Sequence, residues 1–179
     1  ITTRAGNLAV QPDLQPPRIS PLFAQLYATR DICSLDETSH DLAHLLHFRD
    51  LKHINAAAQQ LAAAIDAGKR LLIICGYDAD GARGGAVAMK GLGLFGAKVD
   101  FLVPNRFEHG YGLTPLIVDE AAALGAELII TVDNGIASLA GVAHAQALGI
   151  EVLVTDHHLP ADTLPACTIV NPNQPDCGF

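Results

Sequence analysis

Aromatic residues are scarce in this chain and tryptophan is absent: of the 179 residues, 5% are aromatic and one is Met, whereas half are apolar. A core must therefore be built mainly from Ala, Leu, Ile and Val, which favours helices packed on a sheet. No run approaches the roughly 20 apolar residues of a membrane-spanning helix, and no basic, apolar and cleavable leader opens the chain. We therefore predict a soluble, cytoplasmic protein that does not bind a membrane.

Cysteine and positive charge are also limited. The four cysteines are scattered, with no CxxC pair, which argues against a compact disulfide framework and a cysteine-rich zinc site. Eleven basic residues face 19 acidic ones, giving a formal net charge of −8. This balance argues against a basic surface that coats nucleic acid. It still permits an enzyme whose bound cations attract phosphate locally.

The first 50 residues differ in pattern from the rest. Four prolines in residues 1–21 predict an extended arm, followed by a short helix from Leu22 to about Ala28. Asn55 is a candidate N-cap for an alanine-rich helix that Gly68 would end. We assign residues 1–50 to a proline-rich arm with a helical lead-in and residues 51–179 to one domain.

From Lys69 onward, short β-branched runs alternate with helical patterns. This alternation predicts an α/β fold of three layers, in which helices flank a parallel β-sheet. The predicted strands lie near 70–76, 98–103, 127–132, 150–155 and 167–170, and the helices near 82–95, 114–124 and 137–148.

Three acidic or acid-histidine clusters each follow one of the apolar runs. They are Asp78-Ala79-Asp80-Gly81, Asp133-Asn134-Gly135 and Asp156-His157-His158. Ligand sites in parallel sheets lie beyond the carboxyl ends of the strands, so the three clusters are expected to meet. Carboxylate oxygens with imidazole suit Mn²⁺ or Mg²⁺ better than a structural zinc. The sequence thus indicates a metal site that acts on phosphate.

Taken singly, two of the clusters have simpler explanations. Asp78 and Asp80 would face the same side of an extended chain and clamp a cation, or they would form a polar turn that closes a strand. Asn134-Gly135 is an ordinary turn sequence. The paired histidines are harder to explain by packing, because an imidazole beside a carboxylate is the usual arrangement that orients a metal ligand. Arg106 lies in a loop after the second strand, where it would bind phosphate or lie in solvent.

Together these segments resemble the DHH phosphoesterase superfamily and, within it, the RecJ-type exonucleases specific for single-stranded DNA. The resemblance covers roughly residues 20–179. The matching segments are Tyr-Asp-Ala-Asp-Gly (77–81), Val-Pro-Asn-Arg-Phe (103–107) with Gly-Tyr-Gly (110–112), Thr-Val-Asp-Asn-Gly-Ile (131–136), Val-Thr-Asp-His-His-Leu-Pro (154–160) and Asn-Pro-Asn (171–173).

The resemblance implies roles for ten residues. The implied metal ligands, which are also catalytic, are Asp78, Asp80, Asp133 and His157. His158 would be catalytic beside the metal or the scissile phosphate, and Asp156 would orient the two histidines. The implied substrate-binding residues are Asn105, Arg106, Asn134 and Gly135.

The implied reaction is stepwise 5′-to-3′ removal of nucleotides from single-stranded DNA in repair and recombination. Two Mn²⁺ or Mg²⁺ ions about 4 Å apart would assist it. Single-strand-binding protein and a helicase would be partners, and the protein would be a monomer.

The sequence departs from the family pattern at Gly76, where another aspartate is usual, and at Ala82-Arg83-Gly84-Gly85. The first Ile and the end soon after a strand suggest part of a longer protein, so this portion is expected to be weakly active or inactive alone. Two alternatives stay open. One is a DHH phosphodiesterase acting on short oligonucleotides or cyclic dinucleotides, and the other is a degenerate DHH module that binds without hydrolysing.

Overall fold

The structure, a computed structural model, describes residues 19–179. The described residues divide into two compact units, one that ends at Leu46 and one that spans His47–Phe179. Most of the predicted proline-rich arm lies outside the described residues. In the first unit, helix α1 (Pro21–Ala28) begins where Pro21 fits the first turn and the Ser20 hydroxyl accepts a hydrogen bond from the Phe23 N–H. Two short 3₁₀ turns follow, at Asp36–Thr38 and Leu42–His44.

The second unit is a five-stranded parallel sheet with helices on both faces, as predicted. The strands are β1 (Arg70–Cys75), β2 (Lys98–Leu102), β3 (Leu128–Val132), β4 (Glu151–Thr155) and β5 (Thr168–Val170). Their order in the sheet is β2-β1-β3-β4-β5. The chain therefore places β2 on one side of β1 and β3 on the other. The helices are α2 (Ile54–Asp66), α3 (Ala79–Leu94), α4 (Arg106–His109), α5 (Pro115–Ala123) and α6 (Leu139–Ala147), and a 3₁₀ turn spans Phe48–Asp50.

Alternate residues of the central strands bury opposite faces of the sheet. Leu72, Ile74 and Ile129 pack with α5 and α6, whereas Leu71 and Ile73 pack with α2 and α3. Both faces of β1, β3 and β4 are almost fully buried, because parallel strands covered on both sides need apolar side chains in both directions. This packing holds the carboxyl ends of the three strands side by side.

Some predicted boundaries were wrong. Helix α2 begins at Ile54 and not after Asn55, and its N-cap is His53, which makes no side-chain capping hydrogen bond. His53 adopts a left-handed φ of 64°, and its ring Nδ1 lies 3.1 Å from the Ile169 carbonyl oxygen. A contact with a residue distant in sequence thus places the helix start, which local propensity does not reveal. The short helix α4 was also missed, since the segment was expected to be a loop.

No helix among residues 19–179 is both long and apolar enough to cross a membrane.

Candidate metal and phosphate site

Strand register brings the three sequence clusters to one edge of the sheet. Cys75 of β1 pairs with Val132 of β3, and Val132 pairs with Thr155 of β4. The residues that follow extend the ladder: the Gly76 N–H donates to the Val132 carbonyl at 2.9 Å and the Asp133 N–H to the Thr155 carbonyl at 3.1 Å. The edge lies at the carboxyl ends of β1, β3 and β4, beside the point where the strand order reverses. Ligands of open α/β sheets bind at such a point.

Asp133, His157 and His158 form the centre of the site. One ligand atom from each lies within 4.8 Å of the others, and the His157 Nε2 is 2.9 Å from an Asp133 carboxylate oxygen. The Asp133 side chain is 8% exposed and that of His157 is 59% exposed, so the group has a buried floor and an open side. Asp133 has a left-handed φ of 64°, a conformation that Asp and Asn tolerate better than most residues. This turn aims its carboxylate toward the histidines.

The buried carboxylate of Asp156 holds the backbone of His157 and His158 in place. The Asp156 side chain is 1% exposed. One oxygen accepts the Ile136 N–H at 2.9 Å, and the other accepts the N–H groups of His157 and His158 at 2.7 and 3.1 Å. The same oxygen lies 2.7 Å from the His158 Nδ1, and this hydrogen bond raises the pKa of His158 above its usual value. Asp156 therefore orients His158 and is already occupied by four donors.

Asp78 is the N-cap of α3. Its carboxylate accepts the N–H groups of Asp80 and Gly81 at 3.2 and 3.1 Å, so the expectation that Asp78 and Asp80 lie on extended chain is wrong. The helix begins at Ala79 because Asp78 caps it. Asp80 consequently lies in the first turn, and its carboxylate pairs with the Arg83 guanidinium. Asp78 is at the edge of the cluster, whereas the side chain of Asp80 is held by Arg83.

The carboxyl groups of Asp78 and Asp133 are close enough to shift each other's pKa. Burial raises the pKa of Asp133 above its ordinary value, and the Asp78 carboxyl adds to that rise. The Gly81 N–H, followed by the Asp133 carboxyl, lowers the pKa of Asp78. Two carboxylates so close oppose each other's ionisation. A cation between them would remove that repulsion, which is an electrostatic reason to expect metal here.

Gly76, where the family pattern has an aspartate, leaves no empty space. A Cβ at this position would lie 2.7 Å from the Asp133 Oδ2, so the Asp133 carboxylate takes the volume that a side chain would use. The glycines of α3 serve close packing. A Cβ on Gly84 would lie 2.6 Å from Val132 and one on Gly85 would lie 2.3 Å from the Cys75 sulfur. The pair of glycines thus lets α3 approach β1 and β3.

The residues expected to bind substrate differ in their exposure to solvent. Asn105 caps α4 by accepting the Phe107 N–H at 3.0 Å, and the Arg106 guanidinium carbon lies 5.4 Å from the Tyr77 ring centroid. Asn134 is 2% exposed, and its amide donates to the carbonyls of Ile74 and Val132 at 3.0 Å each. Gly135 has a φ of 110° and lines a cavity beside the cluster. Arg106 is therefore exposed, whereas Gly135 is buried and Asn134 joins the ends of β1 and β3.

Sequence reasoning did not assign roles to Tyr77, Tyr111 or Asn171. The Tyr111 hydroxyl donates to the Asp133 carbonyl at 3.3 Å, and burial raises its pKa to about 12, so the phenol stays protonated. Asn171, fully buried, donates to the His158 carbonyl at 3.0 Å. All three residues belong to segments that match the family pattern, but only the fold shows which atoms they contact.

The cluster opens into a cavity of about 380 Å³. Its lining residues are Gly76, Tyr77, Asp78, Tyr111, Asp133, Gly135, Ile136, Ala137, Ser138, Asp156, His158 and Leu159. Carboxylate oxygens and imidazole nitrogens at its floor are a donor set that Mn²⁺ accepts. The residues present therefore fit a divalent ion facing a space large enough for a phosphate group and its sugar.

Comparison with known proteins identifies relatives of this chain. The family described as "DHH family, N-terminal domain" matches residues 70–178. The single-stranded-DNA-specific exonuclease RecJ of Escherichia coli K12 is 49% identical over 168 residues, which are 92% of this chain and 29% of that protein. The RecJ of Bacillus subtilis 168 is 35% identical over 90% of this chain and 21% of its own length. The chain thus spans less than a third of the length of these relatives.

Solved structures lead to the same family. A crystal structure of exonuclease RecJ bound to manganese matches with a TM-score of 0.67 and 38% identity, over 73% of this chain and 34% of that one. The structure of RecJ with Mn²⁺ from Thermus thermophilus matches with a TM-score of 0.64 and 32% identity, over 95% of this chain and 24% of that one. The family match covers the whole sheet and every residue of the cluster, and the chain belongs to the DHH family.

Proposed function

We propose that this protein hydrolyses phosphodiester bonds of single-stranded DNA with the help of bound Mn²⁺ or Mg²⁺, removing nucleotides in the 5′-to-3′ direction. The observation that carries the proposal is the open cluster of Asp133, His157 and His158 at the carboxyl ends of the strands. Relatives named as single-stranded-DNA-specific exonucleases support the choice of substrate.

The residues that would hold the ion are Asp133 and His157, with Asp78 and His158 beside them. When bound there, Mn²⁺ or Mg²⁺ would supply positive charge to stabilise negative charge on the phosphate oxygens. Asp80 would join only after its carboxylate leaves Arg83, and two ions would require that rearrangement. We therefore expect one strong metal site and a second metal site that depends on Asp80.

The protein's own side chains would position the DNA. The Arg106 guanidinium, held near the Tyr77 ring at 5.4 Å, offers a planar donor fork for a phosphate. His158, whose pKa is raised by Asp156, can hold a proton near a leaving oxygen. The Tyr111 hydroxyl and Gly135 would limit how far the sugar enters the cavity. Each of these groups lies on or beside the same cavity.

The proposal is tested by digesting a single-stranded oligonucleotide, labelled at either end, in the presence of Mn²⁺. We expect mononucleotide release that Asp133→Asn lowers by at least about 100-fold, the scale on which loss of one transition-state contact acts. The matched control is Asp66→Asn, which removes the same charge from the end of α2, away from the cluster, and should leave release unchanged. Equal release by the wild type and Asp133→Asn would contradict the proposal.

A second candidate function is a DHH module that binds single-stranded DNA without hydrolysing it. Two observations favour it: the Asp80 carboxylate is paired with Arg83, and Gly76 provides no carboxylate. Fluorescence anisotropy with the same oligonucleotide separates the two functions. Mn²⁺-dependent binding without release would support the binding module, and absence of both would contradict both.

We further propose an assignment for the whole chain. Residues 51–179 would form the DHH domain and residues 1–50 an arm that leads into it. The protein would work as a cytoplasmic monomer with single-strand-binding protein and a helicase as partners. The similarity to a single-stranded-DNA-specific exonuclease supports this proposed location and these partners.

A further inference from the structure

A second cavity adjoins the metal and phosphate site. It has a volume of about 400 Å³ and lies between α3 and the edge strand β2. Gly76 and Tyr77 line both cavities, so the two lie side by side at the turn after β1. We call the second cavity the edge cleft. Its lining residues are Cys75, Gly76, Tyr77, Ala82, Gly85, Ala86, Met89, Lys90, Phe101 and Val103.

The edge cleft is apolar and partly aromatic. Phe101 is 54% exposed and Val103 is 46% exposed, although both follow Val99 on the face of β2 that packs toward α3. Because β2 is the edge strand of the sheet, α3 covers this face of β2 only in part. The floor of the cleft therefore presents a phenylalanine ring to solvent beside a polar site.

Positive charge lies next to this apolar floor. Lys90 belongs to the lining, and the Arg106 guanidinium lies near the ring of Tyr77, which is 40% exposed. The acidic cluster lies on the other side of Gly76 and Tyr77. A nucleotide has the same division, since a flat apolar base is joined through a sugar to an anionic phosphate. The volume suits such a ligand, because small-molecule sites usually begin at about 300 Å³.

We propose that the edge cleft binds the nucleobase of the nucleotide whose phosphate lies at the Asp133–His157–His158 cluster, with the base packed on Phe101. This inference rests on the proposed function and names a determinant of substrate choice. Base–aromatic stacking tolerates every sequence, because each base has a π-face. A paired base is stacked inside its duplex and is unavailable to the cleft, so the contact would favour single strands.

The test is calorimetric binding to the 179-residue chain in Mn²⁺, using thymidine 5′-monophosphate and, as the ligand without a base, deoxyribose 5-phosphate. We expect thymidine 5′-monophosphate to bind roughly tenfold more tightly, within the range that one base–aromatic stack gives. Phe101→Ser should remove this advantage and leave deoxyribose 5-phosphate unaffected. Phe95→Ser is the matched control, since Phe95 is 77% exposed and outside the cleft.

A second variant avoids changing the edge strand. Ala86→Gln places a longer side chain in the cleft from an exposed position of α3, and Val87→Gln makes a similar change one residue away, outside the lining. Only Ala86→Gln should weaken binding of thymidine 5′-monophosphate. Equal binding of both ligands, or equal behaviour of Ala86→Gln and Val87→Gln, would overturn the inference and leave the proposed function standing. Binding of neither ligand by the wild type would overturn both.

Discussion

Replacing Gly81 with Ala is expected to destabilise the protein by about 3 kcal/mol or more, near the upper end of what overpacking costs. A Cβ at this position would lie 2.2 Å from the Gly76 carbonyl oxygen and 2.4 Å from the Gly76 Cα. Both are backbone atoms on the turn that carries the site, so neither a rotamer change nor a small shift relieves the clash. Helix α3 must move away from β1, and Asp78 moves with it. Thermal unfolding should show a melting temperature lower by roughly 10 °C.

Gly91→Ala is the matched control for this prediction. Gly91 lies in the same helix, and a Cβ there meets nothing within 4 Å. Alanine should therefore stabilise α3 by about 0.5–1 kcal/mol, because glycine loses more backbone entropy in a helix. A Gly81→Ala protein as stable as Gly91→Ala would contradict the close approach of α3 to Gly76.

Asp156→Asn is expected to cost about 2–4 kcal/mol, although the two side chains have nearly the same shape, because the change disrupts a buried hydrogen-bond network. The carboxylate accepts three backbone N–H groups and faces the His158 ring from a side chain that is 1% exposed. An amide nitrogen cannot accept, so at least one of those buried donors loses its acceptor. Urea unfolding measures the loss. Asp162→Asn, at an exposed position, should change stability by less than about 0.5 kcal/mol.

The loss in Asp156→Asn should also depend on pH. The hydrogen bond to Asp156 raises the folded-state pKa of His158 above the ordinary 6.5. A raised pKa contributes stability that is present below the unfolded value and is lost as pH rises through the folded value. The variant lacks this contribution, so its deficit should be larger below about pH 6.5 than in alkaline solution. An NMR titration showing an unchanged His158 pKa would contradict this role of Asp156.

The sheet could be predicted from sequence because its central strands are buried on both faces. Runs such as 71–75 and 128–132 carry apolar residues in both directions. Their alternation with helices then indicated that the strands are parallel. The meeting of Asp78, Asp133 and His157 was predictable for the same reason, since parallel strands end at one edge.

Details that depend on the folded chain's own contacts could not be predicted. The pattern of residues did not show that Asp80 pairs with Arg83, or that Asn134 is buried between the ends of two strands. Both residues have the polar side chains expected of ligands, yet the fold engages them in protein contacts. Gly76 is a similar case, because the volume above it is taken by Asp133, a residue far along the chain. The residue types indicated possible metal and phosphate ligands, but only the packing of the folded chain determines which of their side-chain atoms remain available to bind.

The most direct test of the metal site is a calorimetric titration of the chain with Mn²⁺, compared with Asp133→Asn. Asparagine tolerates the left-handed φ of 64° at this position, so the variant should fold and differ only in the ligand. We predict binding by the wild type and by Asp66→Asn, and a loss of more than about 100-fold in Asp133→Asn, beyond what loss of a supporting contact costs. Absence of binding by the wild type, or equal affinity in Asp133→Asn, would contradict the account.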